Sequence, residues 1–429
     1  MLFKSKEMHK PLQPTIVIRY WGRKAGGIAE PYLYQYSKDG SIVLDPFGGA
    51  GSIIKTALAL DRRAIYIDAN PLAALIARVE IEGVDATELS QSSAVLLENP
   101  KFLNFYQIQC KCGSKADVLY FLCANGRLQA AKIKCQCGCS FVELGCPDIS
   151  FSDYPCDFPS VKLWYDNGKP FLKRRQVDHI YELFSPRNLM ILSSLLAKIK
   201  EIRVSERTKR GLYLAFASIL YQSSKMSRLG SGSWGINSYW LPQMHVERNP
   251  YALLKNALIR LSHIKTLALA VEDVKTVIRG EERAAILNED AKKLPLHDNS
   301  VDMVITDPPF TDEIQYFELS VMAASWLNLS LPFQKEIIVN HNQGKSINDY
   351  YRLLFQAFSE MYRVLKKHGT AVIMLHDESL NVILSLAELI ESAGFQCIKK
   401  ETKQMIQRHV GDRDKISGKN LYILTCKKG

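Results

Sequence analysis

The sequence predicts an α/β protein with a nucleotide-binding, Rossmann-like sheet assembled from two distant stretches of chain. Three observations predict it. A short apolar run, Ser41 to Leu44, leads into the Gly-rich turn Asp45-Pro46-Phe47-Gly48-Gly49-Ala50-Gly51, and a helical segment, Ser52 to Leu60, follows. A second apolar run, Ala64 to Ile67, ends on Asp68, 17 residues after Gly51. The strand-then-acid rhythm returns after Ala284: Ala285 to Leu287 leads to Asp290, and Val301 to Thr306 leads to Asp307-Pro308-Pro309-Phe310.

Residues 1 to 40 lead in and carry a basic aromatic patch, Arg19-Tyr20-Trp21-Gly22-Arg23-Lys24. Asn70 to Val79 reads as a helix after the second strand. The α/β rhythm then stops for about 200 residues. Within that gap Cys110 to Cys146 is rich in Cys and Gly with short β-prone pieces. Leu189 to Ile202, Gly211 to Ser224 and Tyr251 to Val271 have helical apolar spacing, and Lys225 to Tyr251, dense in Gly, Ser, Asn and aromatics, reads as loop. In the last third, Tyr350 to Leu365 is an amphipathic helix, Thr370 to Leu375 a buried strand and Leu380 to Ala393 a helix. Phe395 to Lys399 and Asn420 to Cys426 close the chain as an antiparallel pair. These readings divide the chain into 1–85, 100–150, 151–280 and 281–429, the first and last forming one sheet around two inserted regions.

Composition sets the class. Of 429 residues 47% are apolar and 23% charged, as in a soluble globular protein, and no apolar run reaches the length of a membrane span. No signal-peptide core follows the N-terminus, so the expected location is the cytoplasm, with no membrane partner. The net charge of +11 is unevenly placed, because Lys162 to Lys265 holds 18 Lys/Arg against 6 Asp/Glu. A basic segment beside a near-neutral remainder is the pattern of a surface that meets phosphates. Within it Lys173, Arg174, Arg175, Lys198, Lys200, Arg207, Lys209 and Arg210 are candidate phosphate contacts. In Lys225 to Tyr251, Trp234, Tyr239 and Trp240 are either groups that read bases or core aromatics.

The motifs narrow the chemistry. A cofactor lying on a strand-to-helix turn needs residues that let the backbone approach and take positive φ, which Gly49 and Gly51 supply. Asp45, at the strand end, can accept from a cofactor amino group or an ordered water. Asp68, at the end of the next strand, can accept from both ribose hydroxyls, or else cap the following helix. Asp307-Pro308-Pro309-Phe310 suits a planar amino group. The lone pair of such a nitrogen is spread into its ring and must be freed before it can attack. A carboxylate accepting one N–H and a fixed backbone carbonyl accepting the other achieve this, while an aromatic ring offers a stacking face.

These two motifs resemble those of amino-group DNA methyltransferases. Phe47-Gly48-Gly49-Ala50-Gly51 is similar to that family's Phe-x-Gly-x-Gly cofactor motif, and Asp307-Pro308-Pro309-Phe310 to its Asp-Pro-Pro-aromatic catalytic motif. Tyr20-Trp21-Gly22-Arg23-Lys24, Leu183-Phe184-Ser185-Pro186-Arg187 and Ser238-Tyr239-Trp240-Leu241-Pro242 extend the resemblance to adenine-specific methylases with a zinc-ribbon insert. The resemblance implies a class I S-adenosylmethionine-dependent methyltransferase, with a seven-stranded, mostly parallel sheet and one reversed strand at Asn420 to Cys426. It implies S-adenosyl-L-methionine against Asp45, Phe47, Gly49 and Gly51, with Asp68 on the ribose and Asp290 on the cofactor adenine. Asp307, Pro308, Pro309 and Phe310 would hold the target base, expected to be adenine in double-stranded DNA. Cytosine N4, or guanine N2 in RNA, are alternatives that the same clamp could serve; a restriction or defence partner is left open. The chain departs from the pattern in placing its long insert between the second and third strands, and in having Phe where Tyr is common.

Eight of the ten cysteines fall between Cys110 and Cys156, a clustering that in a cytoplasmic chain points to metal. Cys110-x-Cys112-Gly113 and Cys135-x-Cys137-Gly138 form two similar knuckles, so Cys110, Cys112, Cys135 and Cys137 are the expected ligands of a structural zinc. Cys139, Cys123 and Cys146 are alternatives.

Overall fold

Short apolar stretches of this chain form the central strands of a sheet and are buried on both faces. In the computed structural model, which describes residues 17–22, 27–98, 104–144, 157–229, 236–377, 379–407 and 415–429, the first half begins α1 (Glu30–Tyr36), β1 (Ile42–Asp45), α2 (Ser52–Ala59), β2 (Arg63–Ile67), α3 (Pro71–Glu82) and α4 (Ala86–Leu97). The insert follows with β3 (Gln107–Gln109), β4 (Lys115–Ala124), β5 (Arg127–Lys134), β6 (Phe141–Glu143), α5 (Pro186–Glu201), α6 (Glu206–Ser223), β7 (Met244–Arg248) and α7 (Pro250–Ser262). The second half runs β8 (Ala270–Val271), α8 (Val274–Arg279), β9 (Ala284–Leu287), β10 (Val301–Thr306), α9 (Tyr316–Leu327) and α10 (Ile347–Val364). It ends with β11 (Leu365–Leu375), α11 (Leu380–Ser392), β12 (Phe395–Gln407) and β13 (Lys415–Lys428).

The larger sheet has eight strands in the order β12-β13-β11-β10-β1-β2-β9-β8. Pairing is parallel throughout except at β13, which is antiparallel to both β11 and β12. This is the expected mostly parallel sheet with one reversed strand, with eight strands instead of seven. The extra strand is β8. Tyr251 to Val271 was expected to be one helix, but the helix ends at Ser262, and Ala270–Val271 pairs with β9 at the sheet edge. That pairing lies outside the local apolar period that predicted the helix.

Local chemistry sets the helix starts. Asn70 caps α3 by accepting from the Leu72 N–H, and Pro71 occupies the first turn, where a missing N–H costs nothing. Ser346 and Asp349 form a capping box on α10, whose buried stripe of Tyr350, Leu353, Leu354, Ala357, Phe358 and Met361 lies against the sheet.

The insert is built on a second, antiparallel sheet of five strands: β3-β4-β5-β6 in order, with β7 also on β4. β7 lies inside the stretch expected to be loop. Its partner on β4 precedes it by about 120 residues, so nothing near it in sequence announces the pairing. One apolar core runs from this sheet (Val118, Phe121, Ile133) through α5 and α6 (Leu195, Phe216) to α3 and α9 (Ile76, Met322). A buried Arg187–Glu247 ion pair of 2.8 Å ties α5 to β7. The Tyr106 hydroxyl donates to Asn188 Oδ1 at 2.7 Å beside it. No helix among the described residues is long and apolar enough to cross a membrane.

Candidate active site

The chain leaves β1 in one direction toward β2 and β9, and returns to its other side as β10. Such a reversal opens a crevice at the carboxyl ends of the strands. An open cavity lies there, lined from the ends of β1, β2, β9 and β10 by Asp45, Phe47, Gly49, Asp68, Asp290, Asp307 and Pro309. Segments 261 positions apart are joined directly, since the buried Asp45 carboxylate accepts from Thr306 Oγ1 at 2.7 Å.

The turn after β1 is shaped by its glycines. Gly49 and Gly51 have φ of 49° and 75°, as expected. Gly48 has a different reason: a Cβ there would sit 2.2 Å from the Tyr66 ring. Gly51 does not itself line the cavity. It forms the N-cap of α2 at positive φ and brings the backbone against Ala77, where an added Cβ would lie 3.0 Å from the Ala77 Cβ. Its part is therefore to shape the turn.

Asp68 couples two turns. Its carboxylate accepts from the Gly49 N–H and the Asn70 N–H, both at 2.8 Å. The N-cap of α3 is Asn70, so Asp68 does not have the helix-capping role weighed for it. Burial raises the Asp68 carboxyl to about 6 despite these two donors, and raises Asp45 to about 7. Asp290 accepts from the Lys292 N–H and pairs with its ammonium, both at 2.9 Å.

Asp307-Pro308-Pro309-Phe310 follows β10 and is pinned from α10, where the Tyr350 hydroxyl donates to the Pro309 carbonyl at 2.9 Å. Thr311, a β-branched residue at φ 34°, turns the chain away after the motif. Pro308 and Phe310 do not line the cavity. Phe310 is buried, with its ring centroid 3.7 Å from that of His376. The expected stacking face is thus covered by an imidazole in this structure.

Several lining residues escaped the sequence reading as site residues. Tyr20 and Tyr316 stack at 5.8 Å over one side of the cavity, with Trp21 and Gly22 beside them. The Tyr20-Trp21-Gly22 motif was legible, but not its position. Phe317, Lys335, Glu336 and Ile337 complete the wall. Burial raises Glu336 to about 7, and it accepts from the Phe317 N–H at 2.9 Å. No short motif marks these residues.

Away from the cleft, the four expected thiols come together. The sulfurs of Cys110, Cys112, Cys135 and Cys137 all lie within 4.8 Å of one another, with nearest pairs at 3.4 to 3.6 Å. Tetrahedral zinc with Zn–S bonds of about 2.3 Å spaces its sulfurs roughly 3.8 Å apart, so the donor set fits that metal. Both knuckles fold alike: the Gly113 N–H donates to the Cys110 carbonyl and the Gly138 N–H to the Cys135 carbonyl. Cys123 is not among these four, the Cys139 thiol interacts with Cys137 and Cys110 at the cluster's edge, and Cys146 lies outside the described residues.

The basic segment is less available than its charge suggests. Arg210 pairs with Glu82 at 2.9 Å, Arg174 with Asp178, and Arg207 with Asp85 at 3.9 Å. Lys209 caps the end of α5 through the Ile199 and Lys200 carbonyls, and Lys198 donates to the Val95 and Glu98 carbonyls. Of the eight candidates, Arg175 and Lys200 are exposed, and Lys173 is half-buried. Tyr239 is core, its hydroxyl donating to the Glu318 and Leu319 carbonyls, and Trp234 lies outside the described residues.

Parts of the chain are similar to known proteins. The model of a DNA methylase family, designated for N6 and N4 methyltransferases, matches residues 18–78 and 301–429, on either side of the insert. The Type II methyltransferase M.MjaII of Methanocaldococcus jannaschii is 21% identical over 92% of this chain and 77% of its own length. Among solved structures, a putative DNA modification methylase of Thermus thermophilus is 16% identical over 32% of this chain, with a TM-score of 0.20. This chain spans half the length of that relative. An S-adenosylmethionine-dependent methyltransferase of Methanosarcina mazei is 12% identical over 34% of this chain and 68% of its own, with a TM-score of 0.21. Strand order and the reversed β13 make the fold that of a class I S-adenosylmethionine-dependent methyltransferase, with S-adenosylmethionine as cofactor. The family match and the Methanocaldococcus relative support an S-adenosylmethionine-dependent amino-methyltransferase and do not separate N6 from N4 chemistry.

Proposed function

We propose that the protein methylates the N6 amino group of adenine in double-stranded DNA. The observation that carries this is the meeting of Asp307 and the Gly-rich turn in one cleft. Adenine over cytosine rests on the resemblance to adenine-specific methylases with a cysteine-rich insert. The Type II designation of the Methanocaldococcus relative supports a modification enzyme of a restriction system.

The amine is out of reach in a stacked pair, so the base must leave the helix. Asp307 accepts one N–H of that amine. A backbone carbonyl of the motif, which Tyr350 pins from α10, is the second acceptor. Two acceptors on one planar nitrogen draw its lone pair out of the ring toward the cleft. S-adenosylmethionine, when bound, supplies an electrophilic methyl group. Phe47 and Gly49 would line its site, with Asp45 at the base, Asp68 to accept from the ribose hydroxyls and Asp290 from the adenine amino group. Transfer is direct, with no covalent enzyme intermediate.

In this reading 1–85 and 281–429 form the catalytic unit, 100–150 a ribbon held by structural zinc, and 151–280 the recognition region. Lys173, Arg175 and Lys200 contact phosphates. Incubation with labelled cofactor and DNA or RNA, followed by digestion to nucleosides, tests the assignment. N6-methyladenine from DNA is expected; N4-methylcytosine replaces the target base, and label confined to RNA overturns the proposal. Metal analysis of purified protein is expected to find about one zinc per chain.

A further inference from the structure

We infer that His376 and Glu313 carry away the proton that the target amine loses, acting through Asp307. The inference rests on the methylation reading above and goes beyond it. His376 follows β11, the sheet neighbour of β10, and so comes to lie beside the clamp. Its Nε2 is 3.0 Å from Glu313 Oε2, and its Nδ1 is 3.9 Å from Asp307 Oδ1. The second distance is closed by a small rotation of the carboxylate or by one water. Side-chain exposure is 16% at Asp307, 10% at His376 and 36% at Glu313, so the chain of groups runs from the cleft to solvent.

The balance of the reaction demands such a path. The amine lone pair forms the new N–C bond, and the C–S bonding pair of the sulfonium stays on sulfur. The nitrogen is left cationic and must give up one proton. Asp307 takes it and passes it to Nδ1, while the Nε2 proton moves to Glu313 and then to water. A neutral imidazole can do this because one ring nitrogen accepts while the other donates. The titratable groups around the ring are Asp307, Glu313 and its chain neighbour Asp377, and Tyr316 acts electrostatically with both Asp307 and Glu313. Phe310 packs on the ring and holds it in place.

The alternative is that His376 only supports Phe310. His376→Asn and Glu313→Gln separate the two. Proton-transfer groups contribute roughly 10²- to 10⁴-fold. Each variant is therefore expected to lose at least about tenfold in single-turnover methyl transfer, while binding S-adenosylhomocysteine and DNA within about twofold of the parent. The pH–rate profile of His376→Asn is expected to lose its plateau and keep rising as hydroxide takes over. In cofactor-free protein, the ¹⁵N resonances of the His376 ring are expected to move in Glu313→Gln. A variant rate within about threefold of the parent, an unchanged profile, an unmoved resonance, or a parallel loss of cofactor binding overturns the relay. If the parent protein itself transfers no methyl group to any DNA, the functional reading fails instead.

Discussion

The two sheets of this protein solve different problems. In the larger one, central strands are buried on both faces: β1 reads as four buried residues in succession, and β10 is buried at five of six. In the smaller one, β4 alternates exposed and buried residues. A parallel sheet covered on both sides is held by its own burial and can place chemistry at its strand ends. A small antiparallel sheet with one open face has less to bury, and a metal held by the four-thiol cluster at its hairpin tips would supply a cross-link that burial does not. In the proposed assignment, catalysis and recognition are thus held by different forces, and each can be disturbed without the other.

The comparison is broken most strongly at the clamp. Asp307→Ala is expected to lower methyl transfer by about 10³-fold or more, with cofactor affinity within a few-fold, because it removes an acceptor needed only as the nitrogen changes shape. Single-turnover rates beside equilibrium binding measure the split. Gly48→Ala comes next. Its Cβ meets the buried Tyr66 ring, so the turn must move, and calorimetry is expected to show at least about tenfold weaker cofactor binding. Removing metal with a chelator, or Cys112→Ser, acts on the other sheet. DNA affinity is expected to fall about tenfold while cofactor affinity is kept; equal loss of both would show that the two regions are not separate.

The pH response is smaller and has a definite sign. Burial raises Asp45 to about 7 and Asp68 to about 6, against an ordinary value of 3.8. The folded protein therefore binds more protons than the unfolded chain from about pH 4 to 7, and its stability falls as pH rises through that window. For Asp45, fully buried, the raised value corresponds to at most about 4 kcal/mol. Ionising these carboxylates favours a cationic cofactor, so its affinity is expected to rise several-fold between pH 5.5 and 7.5, and Asp45→Asn to flatten that rise. The smallest effect lies on the surface. Arg175→Ala with Lys200→Ala is expected to reduce the salt slope of DNA binding by about 2, and Arg210→Ala, already paired with Glu82, to leave it unchanged.

Much of the catalytic half was legible because its signals are local. A glycine at positive φ, an acid ending a strand and prolines after an apolar run each declare themselves within a few residues. The four thiols were legible for the same reason, through two similar knuckles. The stacked Tyr20 and Tyr316 were not, because neither has a local reason to face the cleft. Nor was the engagement of Arg210, whose partner Glu82 lies 128 positions away. Charge counts see sign and number but not partners, so they overstated the free basic surface.

The sequence by itself determined the reaction class, the Gly-rich turn proposed to meet the cofactor and the identity of the clustered thiols. Covalent neighbours and backbone preference act over short separations and need no tertiary partner. Tertiary structure alone decided that β1 and β10 lie side by side, bringing Asp45 within 2.7 Å of Thr306, and that β11 delivers His376 to the clamp. Those contacts depend on strand order, which is set by burial and pairing across the whole chain.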